Sequence, residues 1–262
     1  MTSDCARLAI RSWVLPGIVA LVAACGYLPI SRTSLVGTGP LEQAVKPAPL
    51  NEPLGECGPE GSQPDYALNR RKNRVDTAAW LATPWSVIAR LPWPREVGLR
   101  FRNQWTQGEQ QEVARFEGAA VRVEGYLQAF KLEGREPPNC YSEDPAMRDY
   151  HLWLAEEPRD AQRRAIVVEI TPRVRALHPN WTEVQLARLR TSRARIRVSG
   201  WLMLDQMHPE RVGLNRATLW ELHPILRIDV QRGSRWVSLD SLVSRVDPVP
   251  AHPSSIGAPG PP

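Results

Sequence analysis

The feature that most limits how this chain folds is a two-residue apolar rhythm that returns five times between Ala119 and Val230. Val121, Val123 and Leu127 mark the first segment, residues 119–131. Tyr150, Leu152 and Leu154 mark the second, and Ile166, Val168 and Ile170 the third. Ile196, Val198, Gly200, Leu202 and Leu204 follow, then Trp220, Leu222, Leu226, Ile228 and Val230. Successive side chains of a strand point to opposite faces, so each segment reads as a strand with one face in a core. Between the third and fourth, Thr182-Glu183-Val184-Gln185 has the form of a capping box and opens a helix to about Arg190. Three strands, a helix and two strands is the element order of a five-stranded OB-like barrel. Closure removes exposed edges, and Gly125 and Gly200 fall where a small barrel must bend sharply. The predicted class is mainly β with helices (α+β), an OB-like barrel with an N-terminal helical extension. An open α+β sheet of the same element order is the competing architecture.

The extension is read as short helices: one capped by Asp76 with Trp80 on its apolar side, one entered at Thr83-Pro84 and ending near Arg90, and a turn over 109–115. Farther upstream, Arg7 and Arg11 precede an apolar run from Trp13 to Ala24. That run falls short of the ~20 residues a membrane-spanning helix needs, and it has the form of a secretory signal. It ends in Leu21-Val22-Ala23-Ala24-Cys25-Gly26, which resembles the lipobox of bacterial lipoproteins. The resemblance implies cleavage before Cys25, lipidation there, and a place in the cell envelope: the outer membrane, facing the periplasm, where one exists. The expected organisation is a signal over residues 1–24, a lipidated Cys25 and Pro/Gly-rich tether over 25–68, the helical extension over 69–116, the barrel over 117–242, and a Pro-rich tail over 243–262. Cys57 and Cys140 then form an even pair in an oxidising compartment, and a disulfide is expected between them.

The formal net charge is +5, carried almost wholly by arginine. Basic clusters at Asn69–Arg74 and across Arg159–Arg197 read as solvated faces, or as contacts for phosphates or anionic lipid. The sequence has no G-x-S-x-G elbow, Gly-rich phosphate loop or dinucleotide fingerprint. What it has is a polar set on the strand faces opposite the apolar stripes. Asp149, His151 and Trp153 share one face, Glu169 lies on the next strand, and Glu221 and His223 share a face of the last. Asp205 and His208 close the fourth strand and the turn after it. Imidazole and carboxylate groups suit a divalent metal such as zinc, and equally a structural network of histidines and carboxylates. Trp153 and Trp201 are the candidates for an exposed stacking platform.

The pattern Asp149-x-His151-Leu152, Val167-Val168-Glu169, Val198-x-Gly200, Asp205-x-x-His208 and Glu221-Leu222-His223-Pro224-Ile225-Leu226 resembles a set of uncharacterised exported bacterial proteins. The resemblance runs from about Val121 to Ile228 and implies an OB-like fold and a shared polar site, with no reaction attached. The expectation is a membrane-tethered binding or scaffolding module that meets an envelope protein or an anionic ligand, with nucleic acid a remote partner. The alternative is a metal-dependent hydrolase, of nuclease or phosphodiesterase type, using His151, Glu169, Glu221 and His223.

Overall fold

A computed structural model describes residues 57–242. The expected signal, Cys25 and the expected tail lie outside the described residues. Five strands form the barrel: β2 (Ala120–Leu132), β3 (Tyr150–Ala155), β4 (Ala165–Ile170), β5 (Arg195–Leu204) and β6 (Trp220–Arg232). The hydrogen-bonded order is β2-β3-β4-β6-β5, and β5 returns to pair with β2, so the sheet closes. All of these pairings are antiparallel except β4–β6, which is parallel. The arrangement is compatible with an OB fold. Two short strands add to it: β1 (Leu81–Ala82) pairs with β2, and β7 (Arg235–Ser238) with β6.

The apolar stripes face inward, and Val121, Val123, Leu152, Leu154, Ile166, Val168, Leu202, Leu222 and Ile228 are all fully buried. The two glycines sit where backbones nearly touch. A Cβ on Gly125 would lie 2.4 Å from the carbonyl oxygen of Ala155, and one on Gly200 2.5 Å from that of Pro224. At Gly200 the β5–β6 register also shifts, from Ser199↔Arg227 to Gly200↔Ile225 and then Leu202↔Leu222. Such irregularities bend a strand, and Ile225 and Leu226 both enter the core.

The barrel end between β4 and β5 is covered by α4 (Pro172–Leu177) and α5 (Glu183–Ser192), capped by Thr171 and Thr182. Helix α5 matches the expected one. Helix α4 adds to the expected elements and begins directly after β4, where Thr171 Oγ1 accepts from Val174 N.

The N-terminal part differs most from expectation. Residues 57–68, read as the end of the tether, belong to the fold. They lead into α1 (Tyr66–Lys72), capped by Asp65, whose carboxylate accepts from Leu68 N at 3.0 Å. No helix starts at Asp76, whose carboxylate instead pairs with Arg74. Thr83 does not cap α2 (Trp85–Ile88), since its hydroxyl donates to Leu81 O. The turn expected near 109–115 is α3 (Gln107–Ala114), closed by a capping box of Thr106 and Glu109. No helix of the described residues is long and apolar enough to cross a membrane.

A disulfide joins Cys57 to Cys140 with Cα atoms 5.9 Å apart. It ties the strap formed by residues 57–76 to the loop between β2 and β3. Side-chain amides finish the attachment: Asn73 Nδ2 donates to Pro59 O and Pro138 O, and Asn69 Nδ2 to Glu60 O and Ser62 O. Most of the basic cluster Asn69–Arg74 is therefore turned inward, while Arg70 stays exposed beside Glu60. Arg71 meets Glu117, Lys72 meets Glu221, and Arg74 meets Asp76.

Candidate functional site

The strand register explains the site. His151 on β3 lies directly opposite Glu169 on β4, and Val167 on β4 is level with Glu221 on β6. Two residues further along each parallel strand, Glu169 and His223 come side by side. Asp149 precedes β3 on the same side. Period-two placement on three neighbouring strands thus gathers Asp149, His151, Glu169, Glu221 and His223 on the outer face of the barrel.

That face is not open. The strap and the 3-10 turn at Pro137–Asn139 cover it, so Asp149, Glu221 and His223 are fully buried and Glu169 is 4 % exposed. His223 is central. Its Nε2 is 3.4 Å from Asp149 Oδ2, and its Nδ1 is 3.1 Å from Glu169 Oε2 and 3.4 Å from Glu221 Oε1. Neither ring nitrogen meets these oxygens along a hydrogen-bonding direction, and Asp149 Oδ2 and Glu169 Oε2 are equally without partners. Asn139 Nδ2 holds the other oxygen of Asp149 at 2.8 Å.

Charges brought by distant segments set the electrostatics. Lys72 Nζ lies 3.3 Å from Glu221 Oε1, and Arg216 bridges Glu221 to Asp205. Burial works against the ionised form of Glu221, but Lys72 outweighs it and, with His223 and Arg216, holds the carboxyl well below its usual range. Burial likewise disfavours the His223 imidazolium, yet Glu169 and Asp149 push the ring well above its ordinary value against the opposing charge of Lys72. Glu136, on the covering loop, moves the other way. Burial first, then the neighbouring Glu169 and Asp149 carboxylates, raise it well above normal.

His151 stands slightly apart. Its Nδ1 is 2.8 Å from Glu133 Oε2 and 3.8 Å from Glu169 Oε1, and its ring stacks on Trp153 with centroids 4.6 Å apart. Burial opposes its charged form, but Glu169 and Glu133 raise it overall. Glu133 is held down to about 2, its burial outweighed by the hydrogen bonds from His151 and Lys131.

A cavity of about 540 Å³ opens beside these groups. Lys72, His151, Trp153, Glu169 and Arg216 line its polar side. Phe101, Tyr141 and Met207, each roughly half exposed, line its apolar side. Four of the lining residues carry buried polar atoms without a hydrogen-bond partner: His151 Nε2, Trp153 Nε1, Glu169 Oε2 and Gln206 Oε1.

Not every expected residue belongs to the cluster. His208 is exposed in the turn after β5, 3.6 Å from Glu210, and reaches only the cavity wall. Asp205 is joined to the cluster through Arg216 rather than by direct contact. Trp201 is no stacking platform: it is buried, its Nε1 donates to Asp76 O, Arg74 lies 3.4 Å over its ring, and Trp80 packs edge-on against it. Trp153 is also buried, packed with Ala155, Ala165 and Val167 on the outer face. Sequence reasoning missed Lys72, Glu133, Glu136 and Arg216, which lie in polar stretches with no periodic signal. No protein-family model matches the chain, and neither a curated protein nor a solved structure matches it.

Proposed function

We propose that the chain is an exported binding module, anchored to the cell envelope by a lipid on Cys25, whose ligand occupies the cavity on the outer face of the barrel. One observation carries the reading. The cavity is lined by His151, Trp153, Glu169 and Gln206, each of which carries a buried polar atom with no hydrogen-bond partner within the protein. Buried polar groups are normally hydrogen-bonded, and each orphan costs about 1–3 kcal/mol. A ligand with complementary groups removes that cost. A volume of about 540 Å³ is in the range of small-molecule sites. Apolar rim and polar floor are the usual division of labour there: the rim supplies burial and the floor supplies orientation.

Two further features support the envelope setting. The Cys57–Cys140 bond suits an oxidising compartment, and the segment ending in Ala23-Ala24-Cys25 has the pattern of a lipidated N-terminus. The likeness of the Glu221–Leu226 motif to exported OB-like proteins agrees with both. Nucleic acid fits less well, because Trp153 and Trp201 are both covered.

Ligand-observed NMR against a library of small polar compounds tests the cavity, and the mass of the Cys25 peptide tests the anchor. Hits that disappear in Met207→Trp, which blocks the rim, and in His151→Ala, with the melting curve unchanged, are expected. Hits indifferent to both substitutions, or no hits, defeat the cavity reading. An unmodified Cys25 peptide from native membranes defeats the anchor. Metal-dependent hydrolysis is the second reading, favoured by the convergence of His151, Glu169, Glu221 and His223, and it requires that the cluster take a metal at all.

A further inference from the structure

At the centre of the buried cluster two carboxylates and an imidazole converge without aligned hydrogen bonds. One ligand atom from each of Asp149, Glu169 and His223 lies within 4.8 Å of the others. All three side chains are more than nine-tenths buried. Asp149 Oδ2, Glu169 Oε2 and both nitrogens of His223 have no hydrogen-bond partner. Close approach without hydrogen-bond alignment is a costly arrangement for a purely structural network, which gains its stability from aligned donors and acceptors. The nearby ammonium of Lys72 is spent elsewhere, on Glu221.

We infer that Asp149, Glu169 and His223 bind one divalent transition-metal ion of the zinc or manganese class. Two carboxylate oxygens and one imidazole nitrogen are a donor set that both ions accept. Three protein ligands leave a coordination position for water or for an oxygen of a bound ligand. The support around them is that of a metal site: Asn139 Nδ2 fixes Asp149 through Oδ1 and leaves Oδ2 for the ion. Glu169 belongs both to the trio and to the cavity wall, which supplies the route of entry. The inference deepens the cavity reading, and rests on it only for that route. It also narrows the ligand class to molecules with an anionic or carbonyl oxygen that can complete the coordination shell.

The test is calorimetric titration of the chelator-stripped full chain, first with manganese, which ignores stray thiols, then with zinc. One ion per chain is expected, with a melting temperature that climbs as the metal concentration rises. Glu169→Gln and Asp149→Asn should each weaken binding about tenfold or more, and Asn139→Ala, which touches no ligand atom of the ion directly, should do so by about tenfold. Circular dichroism without metal establishes that each variant is folded, and Asn139→Ala carries the test if a ligand variant is not. His208→Ala should leave binding unchanged. Absence of saturable binding of either ion at millimolar concentration overturns the inference. So does one-to-one binding that survives the Glu169, Asp149 and Asn139 substitutions, which would place the ion elsewhere. Failure of the rim-blocking Met207→Trp test leaves the metal titration untouched, so the two readings fail separately.

Discussion

Removal of the disulfide tests whether the strap is part of one cooperative unit with the barrel. Cys57 and Cys140 are 83 residues apart in sequence. The chain-entropy relation assigns a cross-link closing such a loop about 4.5 kcal/mol, by restricting the unfolded chain. The strap's hydrogen bonds from Asn69, Asn73 and Arg173 remain when the cross-link is gone. Replacement of both cysteines by serine should therefore leave the native arrangement in place while lowering stability by about 3–4.5 kcal/mol. For a domain of this size each kcal/mol moves the melting temperature by about 2–4 °C, so a fall of roughly 6–18 °C is expected. Urea unfolding is the assay, followed by tryptophan fluorescence and by far-ultraviolet circular dichroism. Coincident single transitions shifted by that amount fit the reasoning. A loss below about 1 kcal/mol refutes it, because the loop would then be held by something other than the cross-link. A separate early transition seen only by fluorescence also refutes it, since the strap would then unfold on its own.

Two other perturbations probe the groups that hold the strap and flank the site. Glu117 accepts from Arg102 at 2.7 Å through both oxygens, from Arg71 at 3.4 Å and from Leu204 N at 3.0 Å, all buried. Glu117→Gln leaves guanidinium charge buried without its counter-ion and should cost about 3–5 kcal/mol, part of it recovered by adding Arg102→Met; calorimetric or urea unfolding checks both. The His151–Glu133 pair predicts a pH window. His151 is raised in the folded state, so its contribution is complete below its unfolded value of 6.5 and is lost as pH climbs through the folded value. Glu133 is lowered to about 2, so its contribution is present above its unfolded value of 4.5 and is lost as pH falls toward about 2. The stability difference between the wild type and Glu133→Gln should therefore be largest between about pH 4.5 and 6.5 in urea titrations, and a flat difference across pH contradicts the pairing.

The barrel was legible because its signal is local. Alternation along each strand specifies the core face, and Val121, Leu152, Val168 and Leu222 lie where the alternation put them. The Thr-Pro signal shows where local reasoning fails. It was read as a helix cap at Thr83-Pro84, where the hydroxyl bonds back to Leu81 O. It went unread at Thr171-Pro172, where Thr171 Oγ1 accepts from Val174 N and does start a helix. The same two residues serve either purpose, and the surrounding contacts decide. Within the site, Asp149, His151, Glu169, Glu221 and His223 were found because period two survives closure of the sheet. His208 was misplaced because it sits past the end of β5, where the period no longer governs direction. Lys72 could not be found that way: 149 residues separate it from Glu221, and polarity alone marks residues 69–74 for solvent. Only the closed barrel brings the strap across the acids.

The parallel join between β4 and β6 has a mechanical implication. It registers at Val167↔Glu221 and Val168↔Leu222, whereas β5 and β6 run together from Ile196↔Val230 to Leu204↔Trp220. The cylinder is thus sewn tightly along one side and tacked on the other, and the tacked side carries Glu169, Glu221 and His223. A molecule that parts in places should part there first, so the amide hydrogens that bridge β4 to β6 should exchange with deuterium ahead of those that bridge β5 to β6, and anything that grips the two acids and the imidazole together also closes the join.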